Sequence, residues 1–501
     1  MRSNAMLVAA AGGGTLLWLW FVGLERRGRR GAVLGVVLGV FLAEALLNTS
    51  AANVPPGIFR PSFAGQDFRA PDVVLLLAIA ARAMTAKVPR RISGTALAWG
   101  AFLLWYSTAA VVGLLYGRQL DQILFEAKAV FYIGGAMALV AGTDVAALVR
   151  RRAAARWTVP LGVTAAGGII CGLTDTAFAV NLPGAPLDQV GSLNSDAATV
   201  LVAFGAVALV VELCRPHPRI SVGVAALAMI LSPIGGEQRG SFLGLGVSAG
   251  AMLLVVIGQT WRRRARTTPT EAGLVLAGIG LAIGLGLVVA GPGVDVGQRL
   301  EDTFLGSGEE RTADTRTDLR AEAIDVIRDR PFLGAGLGTR LTFFDVTTLE
   351  HRGASPHNVA VDVTLRSGLI GLALLTVALG MTSLDAVQVY RRHRDSRVAA
   401  LALGCLVALA GILAKGMVES VFDKFRIAIA VGLLCGAIAA SARSLAQGRP
   451  VEATGGDDGG GGSAPRPDEG PGDDLRLSRR ASDRTRRRSV GVAPVPRYTP
   501  T

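Results

Sequence analysis

Apolar runs of about 17–25 residues recur along this 501-residue chain, and that repetition constrains its fold more than any other feature. A helix crossing a hydrocarbon core of ~30 Å needs roughly 20 such residues. With 51% hydrophobic and only 18% charged residues, the chain has more of these runs than any soluble core could bury. The expected fold is all-α: a polytopic membrane protein with about 12–13 transmembrane helices and one large extracytoplasmic, partly helical loop. The spans fall near residues 6–23, 31–48, 70–85, 93–116, 123–142, 157–173, 196–213, 220–234, 240–260, 270–291, 359–383, 398–418 and 427–444. A transmembrane domain thus covers 1–444, with an outer loop at 292–358 inside it and a tail at 445–501.

Arginines set the orientation. The connectors at 25–30 (ERRGRR), 87–91 (KVPRR), 150–156 (RRRAAAR), 214–219 (CRPHPR), 261–266 (WRRRAR) and 390–397 (YRRHRDSR) are basic and alternate along the span list, as cytoplasmic loops do. The first span then runs from outside to inside, and the tail is cytoplasmic in a multi-pass protein of the plasma or inner membrane. The net charge of +13 is mostly this topology signal, so no nucleic-acid partner is expected. Cys171, Cys214, Cys405 and Cys435 lie within or at the ends of spans, without metal-ligand spacing, and read as small core residues. At the N-terminus the positive charges follow the apolar run, which reads as an anchor rather than a cleaved signal. The tail is Gly/Asp-rich and then Arg-rich, a composition expected to stay disordered. Its arginines at 484–488 are either solvated or laid on anionic lipid head groups.

The outer loop holds most of the polar sequence. Thr315 is a plausible N-cap for a helix over about 316–330, with Leu319, Ala323, Ile324 and Ile327 as its apolar stripe and Pro331 just beyond its end. Arg316 and Arg320 then share one face at the first turn, where free amides and two guanidinium forks suit an anion such as phosphate. The same spacing allows both to pair with Asp314, Asp318 or Glu322 on a solvated helix. Gly334, Gly336 and Gly338 in the run PFLGAGLG imply a tight backbone whose N–H groups approach a ligand, a weak signal alone. His357, beside Asn358, stands where the loop re-enters the membrane, and imidazole is the side chain best suited to take a proton near neutral pH. A solitary loop histidine is more often a plain surface residue. Arg239, in the short connector GGEQRGSFL, sits near the outer membrane surface, where a charge is either functional or snorkels to head groups.

Taken in order, these elements resemble the O-antigen ligase/polymerase superfamily of bacterial envelope enzymes. That family has about a dozen spans and a large periplasmic loop. The loop Arg, the Pro-x-x-Gly-x-Gly, the His-Asn and the Gly-x-x-Gly-Leu correspond to Arg316, Pro331 to Gly336, His357-Asn358 and Gly368 to Leu372. The family's earlier Arg corresponds to Arg239. Detailed resemblance covers roughly residues 235–372. Two positions depart: Arg320 stands where many members have Trp, and Arg366 where many have Glu. An additional cation at 366 reads as a preference for a more anionic donor or acceptor. The resemblance implies a metal-independent glycosyltransferase without cofactor that acts on a polyprenyl-pyrophosphate-linked glycan. It also implies an acceptor glycan or lipid, with membrane lipids around it. In this reading Arg239 and Arg316 act on the pyrophosphate with Arg320 beside them. His357 is the base, Asn358 orients the acceptor, and Gly334 and Gly336 approach the substrate. No Asp-x-Asp or His-rich metal cluster is evident in the sequence. The competing reading is a transporter of lipid-linked sugar or a small anion, for which Glu44, Glu126, Lys128 and Lys415 are intramembrane candidates.

Overall fold

The computed structural model describes residues 2–47, 62–63, 66–67, 70–85, 93–145, 153–174, 178–182, 185–190, 195–215, 218–235, 243–252, 308–345, 350–393, 396–422 and 424–446. The span expected at 270–291, the connector carrying Arg239 and the tail lie outside the described residues, as do the side chains of Glu44 and Cys171.

The fold is all-α and polytopic. In chain order the helices are α1 (Arg2–Arg26), α2 (Arg30–Leu47), α3 (Ala70–Thr85), α4 (Gly94–Leu115), α5 (Leu120–Ala141), α6 (Ala153–Thr174), α7 (Ser195–Leu213) and α8 (Ile220–Ile230). They continue with α9 (Leu243–Met252), α10 (Gly308–Asp329), α11 (Val359–Arg392), α12 (Arg397–Gly416) and α13 (Phe425–Ala446). Among the described residues, α4, α5, α7, α11, α12 and α13 contain stretches long and apolar enough to cross a membrane. Large apolar side chains such as Leu97, Leu104, Leu115 and Val163 are exposed, Leu115 by 80%, which suits a surface solvated by lipid.

The core lies where α13 packs on α5, α12 and α8 on α7, and α11 on α4. Cys405 and Cys435 are buried within it as unpaired thiols. A charged cluster ties helix ends together at one side. Glu25 at the end of α1 pairs with Arg82 of α3 at 3.1 Å and Arg30 of α2 at 3.6 Å. Arg82 and Arg30 donate to the carbonyl of Gly142 just past α5, and Arg443 of α13 donates to that of Ala141. The ends of α1, α3, α5 and α13 therefore share one face, as strict alternation of the spans demands.

Two features depart from the sequence reading. Short antiparallel hairpins occupy expected outer connectors: β1 (Ser62–Phe63) with β2 (Gln66–Asp67), β3 (Phe178–Leu182) with β4 (Ala185–Val190), and β5 (Leu341–Asp345) with β6 (Glu350–Ala354). In addition, α11 runs on to Arg392, past the expected end at 383, and is broken at Gly368 (φ 68°, ψ −175°).

Candidate active site at the outer loop

The break in α11 organises this region. A helix interrupted at membrane depth leaves carbonyls and amides that must find partners inside the protein. Here the loop after α10 supplies them. Ala335 N donates to Leu365 O at 2.7 Å and Gly336 N to Arg366 O at 3.1 Å, while Leu369 N donates to Pro331 O at 2.7 Å. Trp105 of α4 donates its indole N–H to Ser367 O at 2.9 Å. A Cβ on Gly368 would stand 2.0 Å from Phe332 O, and one on Gly334 would stand 2.6 Å from the backbone of Arg366 and Gly368. The two glycine motifs are thus halves of one backbone-to-backbone joint. The amides of Gly334 and Gly336, read from sequence as facing a ligand, donate instead to Arg330 O and Arg366 O. Beyond the joint, Leu337 N donates to Ala109 O of α4, and the Arg330 guanidinium lies 3.9 Å over the Tyr116 ring.

Arg366 is buried between two carboxylates. It is 5% exposed, with Nη1 2.8 Å from Asp362 Oδ2 one turn earlier and Nε 3.2 Å from Glu126 Oε2 on α5. Glu126 also accepts from Gly338 N at 2.6 Å, which extends the network to the end of the glycine run. The expectation that this cation favours a more anionic donor or acceptor is therefore corrected: its charge is matched by two buried carboxylates. Sequence alone contained the hints, an acid within the apolar span of α5 and an Asp-x-x-x-Arg at helical spacing.

His357 and Asn358 form the turn into α11. His357 holds a left-handed backbone (φ 49°), uncommon for a residue with a side chain and a frequent mark of functional sites. Asn358 caps α11, its Oδ1 accepting from Ala360 N (2.9 Å) and Val361 N (3.1 Å). Its Nδ2 donates to Met417 O at 2.9 Å, so its amide is engaged within the protein at both ends. Ser355, on the other side of His357, hydrogen-bonds Asp362 Oδ1 at 3.3 Å and, through its hydroxyl, that of Ser420. The contacts of Asn358 with Met417 and of Ser355 with Ser420 reach the linker between α12 and α13. That linker carries Glu419, bound to Lys415 Nζ (3.0 Å) and Lys424 Nζ (2.9 Å). Burial raises the Glu419 carboxyl, but the two lysines outweigh it and hold it below its ordinary value. Burial lowers Lys424, but Asp196 and Glu419 outweigh it and bring it up to about 12.

The arginines are placed differently from the sequence reading. Helix α10 begins at Gly308, so Thr315 lies within it rather than capping it. Arg316 and Arg320 stand well inside the helix, and no open amide end lies beside them. The acid-rich start (GEERTAD) accounts for the longer helix, since carboxylates favour the positive end of the helix dipole. The side chain of Arg316 and all of Arg239 are outside the described residues. Arg320 is half-buried, and its Nε finds no hydrogen-bond partner among the described residues. Below it, Leu319 and Ala323 pack with Ala335, Leu341 and Leu365, and Val326 joins Ile327 at the edge while Ile324 is exposed.

Three of the four intramembrane charges noted for a transporter have described side chains, and each is paired in place: Lys128 with Asp72 at 2.5 Å, Glu126 with Arg366, and Lys415 with Glu419. No curated protein matches the chain. Residues 224–376 match the family model described as O-Antigen ligase. That segment takes in the Arg239 connector, the whole of the expected outer loop, the His357-Asn358 turn and α11 through its break. Over this stretch the multi-pass membrane protein is similar to the O-antigen ligase family.

Proposed function

We propose that the protein is a membrane glycosyltransferase that ligates or polymerises envelope polysaccharide. Its donor is a glycan on a polyprenyl pyrophosphate, presented at the outer leaflet of the cell membrane. The coarse activity, of the O-antigen ligase/polymerase type, follows from the matched domain. The observation that carries the finer reading is the His357 turn, held in a left-handed backbone where the outer loop re-enters the membrane. In this mechanism an acceptor hydroxyl loses its proton to His357 and attacks the anomeric carbon. The bond from that carbon to the pyrophosphate oxygen breaks, and the polyprenyl pyrophosphate departs. Arg239 and Arg316 carry the charge that develops on the leaving group, with Arg320 beside them. Asn358 acts by fixing the turn, and Gly334 and Gly336 by joining the loop to α11. The cytoplasmic tail and the inner-membrane location complete the reading.

The test is incubation of the purified protein with polyprenyl-pyrophosphate glycans. Longer lipid-linked chains identify a polymerase, and transfer to a second acceptor identifies a ligase. His357→Ala and Arg316→Ala should remain folded in the membrane and lose transfer. Full activity in both variants sinks the mechanism.

A further inference from the structure

The linker between α12 and α13, residues 417–424, touches the outer loop on both sides of His357. Met417 O accepts from Asn358 Nδ2 at 2.9 Å, and the hydroxyls of Ser420 and Ser355 meet. Glu419 lies between these two anchor points in sequence. Its carboxylate is gripped by Lys415, which is fully buried, and by Lys424. Both lysines reach across to α7: Lys415 Nζ is 2.7 Å from Thr199 Oγ1, and Lys424 Nζ is 3.2 Å from Asp196 Oδ1. Val421 and Phe422 are buried beneath. The linker is therefore pinned to the helix bundle by two ion pairs on Glu419, and in turn pins the residues before and after the candidate base.

The same assembly reaches the start of α9. A Cβ on Gly244 would stand 2.9 Å from Gly411 O and 3.6 Å from Lys415 Cβ, so α9 rests directly on the turn of α12 that carries Lys415. Arg239 is four residues before the first residue of α9. The last turns of α12, which carry the Lys415 partner of Glu419, thus also meet the helix that follows the Arg239 connector.

We infer that Glu419 is a positioning residue for glycosyl transfer. It locks the linker after α12 and so holds the His357-Asn358 turn, with His357 in its left-handed conformation. The inference rests on His357 acting in catalysis, as proposed above. Misplacing a base by about an ångström can lower the rate on the order of a hundredfold while substrate binding persists. A solely structural role would instead lower the yield of folded protein and leave the kcat of each folded molecule unchanged.

The experiment uses the full-length protein in lipid nanodiscs with a polyprenyl-pyrophosphate glycan donor, and compares kcat and donor KM. Glu419→Ala should lower kcat by about tenfold or more and leave donor KM within about twofold. Glu419→Gln, which keeps an oxygen for one lysine, should recover part of the lost rate. In a His357→Ala background, Glu419→Ala should change the residual rate by less than about twofold, because its effect runs through the histidine. Ser420→Ala, which removes one hydroxyl from the same clamp, should show a smaller loss of the same kind. If Glu419→Ala does not purify in folded form, Glu419→Gln and Ser420→Ala decide the question by the same kcat and double-variant criteria. Wild-type kcat in the folded Glu419 variants overturns the proposal, as does an undiminished effect without His357. Full activity of His357→Ala itself refutes the underlying mechanism and takes this proposal with it. A dead His357→Ala beside fully active Glu419 variants refutes this proposal alone.

Discussion

Replacing Arg366 with methionine tests whether this cation belongs to the scaffold or to the substrate. Its guanidinium lies 2.8 Å from Asp362 and 3.2 Å from Glu126, and all three side chains are at most 8% exposed. Removing it leaves two buried carboxylates without the cation that pairs with both. Breaking a buried pair from one side costs about 3–5 kcal/mol, because the remaining charge has lost the water and the partner that solvated it. At about 2 °C per kcal/mol, that is a fall of roughly 6–10 °C in the midpoint of thermal unfolding. Differential scanning fluorimetry of the protein in detergent reads it directly. The triple variant Glu126→Gln, Asp362→Asn, Arg366→Met, neutral and similar in shape, should regain most of the loss. Arg328→Met, at an ion pair with Asp325 whose side chains are more than 70% exposed, should be silent. An Arg366→Met midpoint within about 1 °C of wild type, with weakened donor binding, would show that the guanidinium serves the substrate after all.

Gly368→Ala puts a Cβ 2.0 Å from Phe332 O, in a backbone region essentially reserved for glycine and costing other residues about 1–3 kcal/mol. It should loosen the loop at 331–337, so that a cysteine at Leu337, buried in the wild type, becomes reactive to a water-soluble maleimide; unchanged labelling argues against the joint. Lys424→Met should lower the unfolding midpoint by an amount that depends on pH in a defined way. The folded value of Lys424 is raised from 10.5 to about 12, so its contribution is complete below 10.5 and is lost as pH climbs through about 12. Glu419 is depressed below 4.5, so its contribution is present above that value and lost only on further acidification. The difference between wild type and Lys424→Met should therefore be flat from about pH 5 to 10, and a difference that halves by about pH 9 contradicts the pairing.

The membrane layout was legible because it rests on length and composition alone. Apolar runs such as 398–418 and 427–444 have no alternative to spanning helices, and α12 and α13 occupy them within a few residues. What the sequence concealed depends on which chain segments meet. The run PFLGAGLG reads locally as a ligand cradle, and only the break at Gly368, some thirty residues later, shows that its amides satisfy orphaned carbonyls. Arg366 reads as a surplus charge until Glu126, 240 positions earlier, is seen beside it. The start of α10 was misplaced because Thr315 is a good cap by type, while the acids upstream favour an earlier start. The linker at 417–424 shows only a Lys-Glu pair at helical spacing; its contacts with Ser355 and Asn358 exist in three dimensions alone.

The central claim is that His357 removes the acceptor's proton while the arginines hold the departing pyrophosphate. The most direct measurement is single-turnover transfer from a radiolabelled polyprenyl-pyrophosphate glycan by wild type and His357→Ala, with donor binding measured on the same samples. The account predicts that His357→Ala binds donor within about twofold of wild type and transfers at least about a hundredfold more slowly. A variant that transfers at the wild-type rate, or that loses transfer only because donor no longer binds, would contradict it.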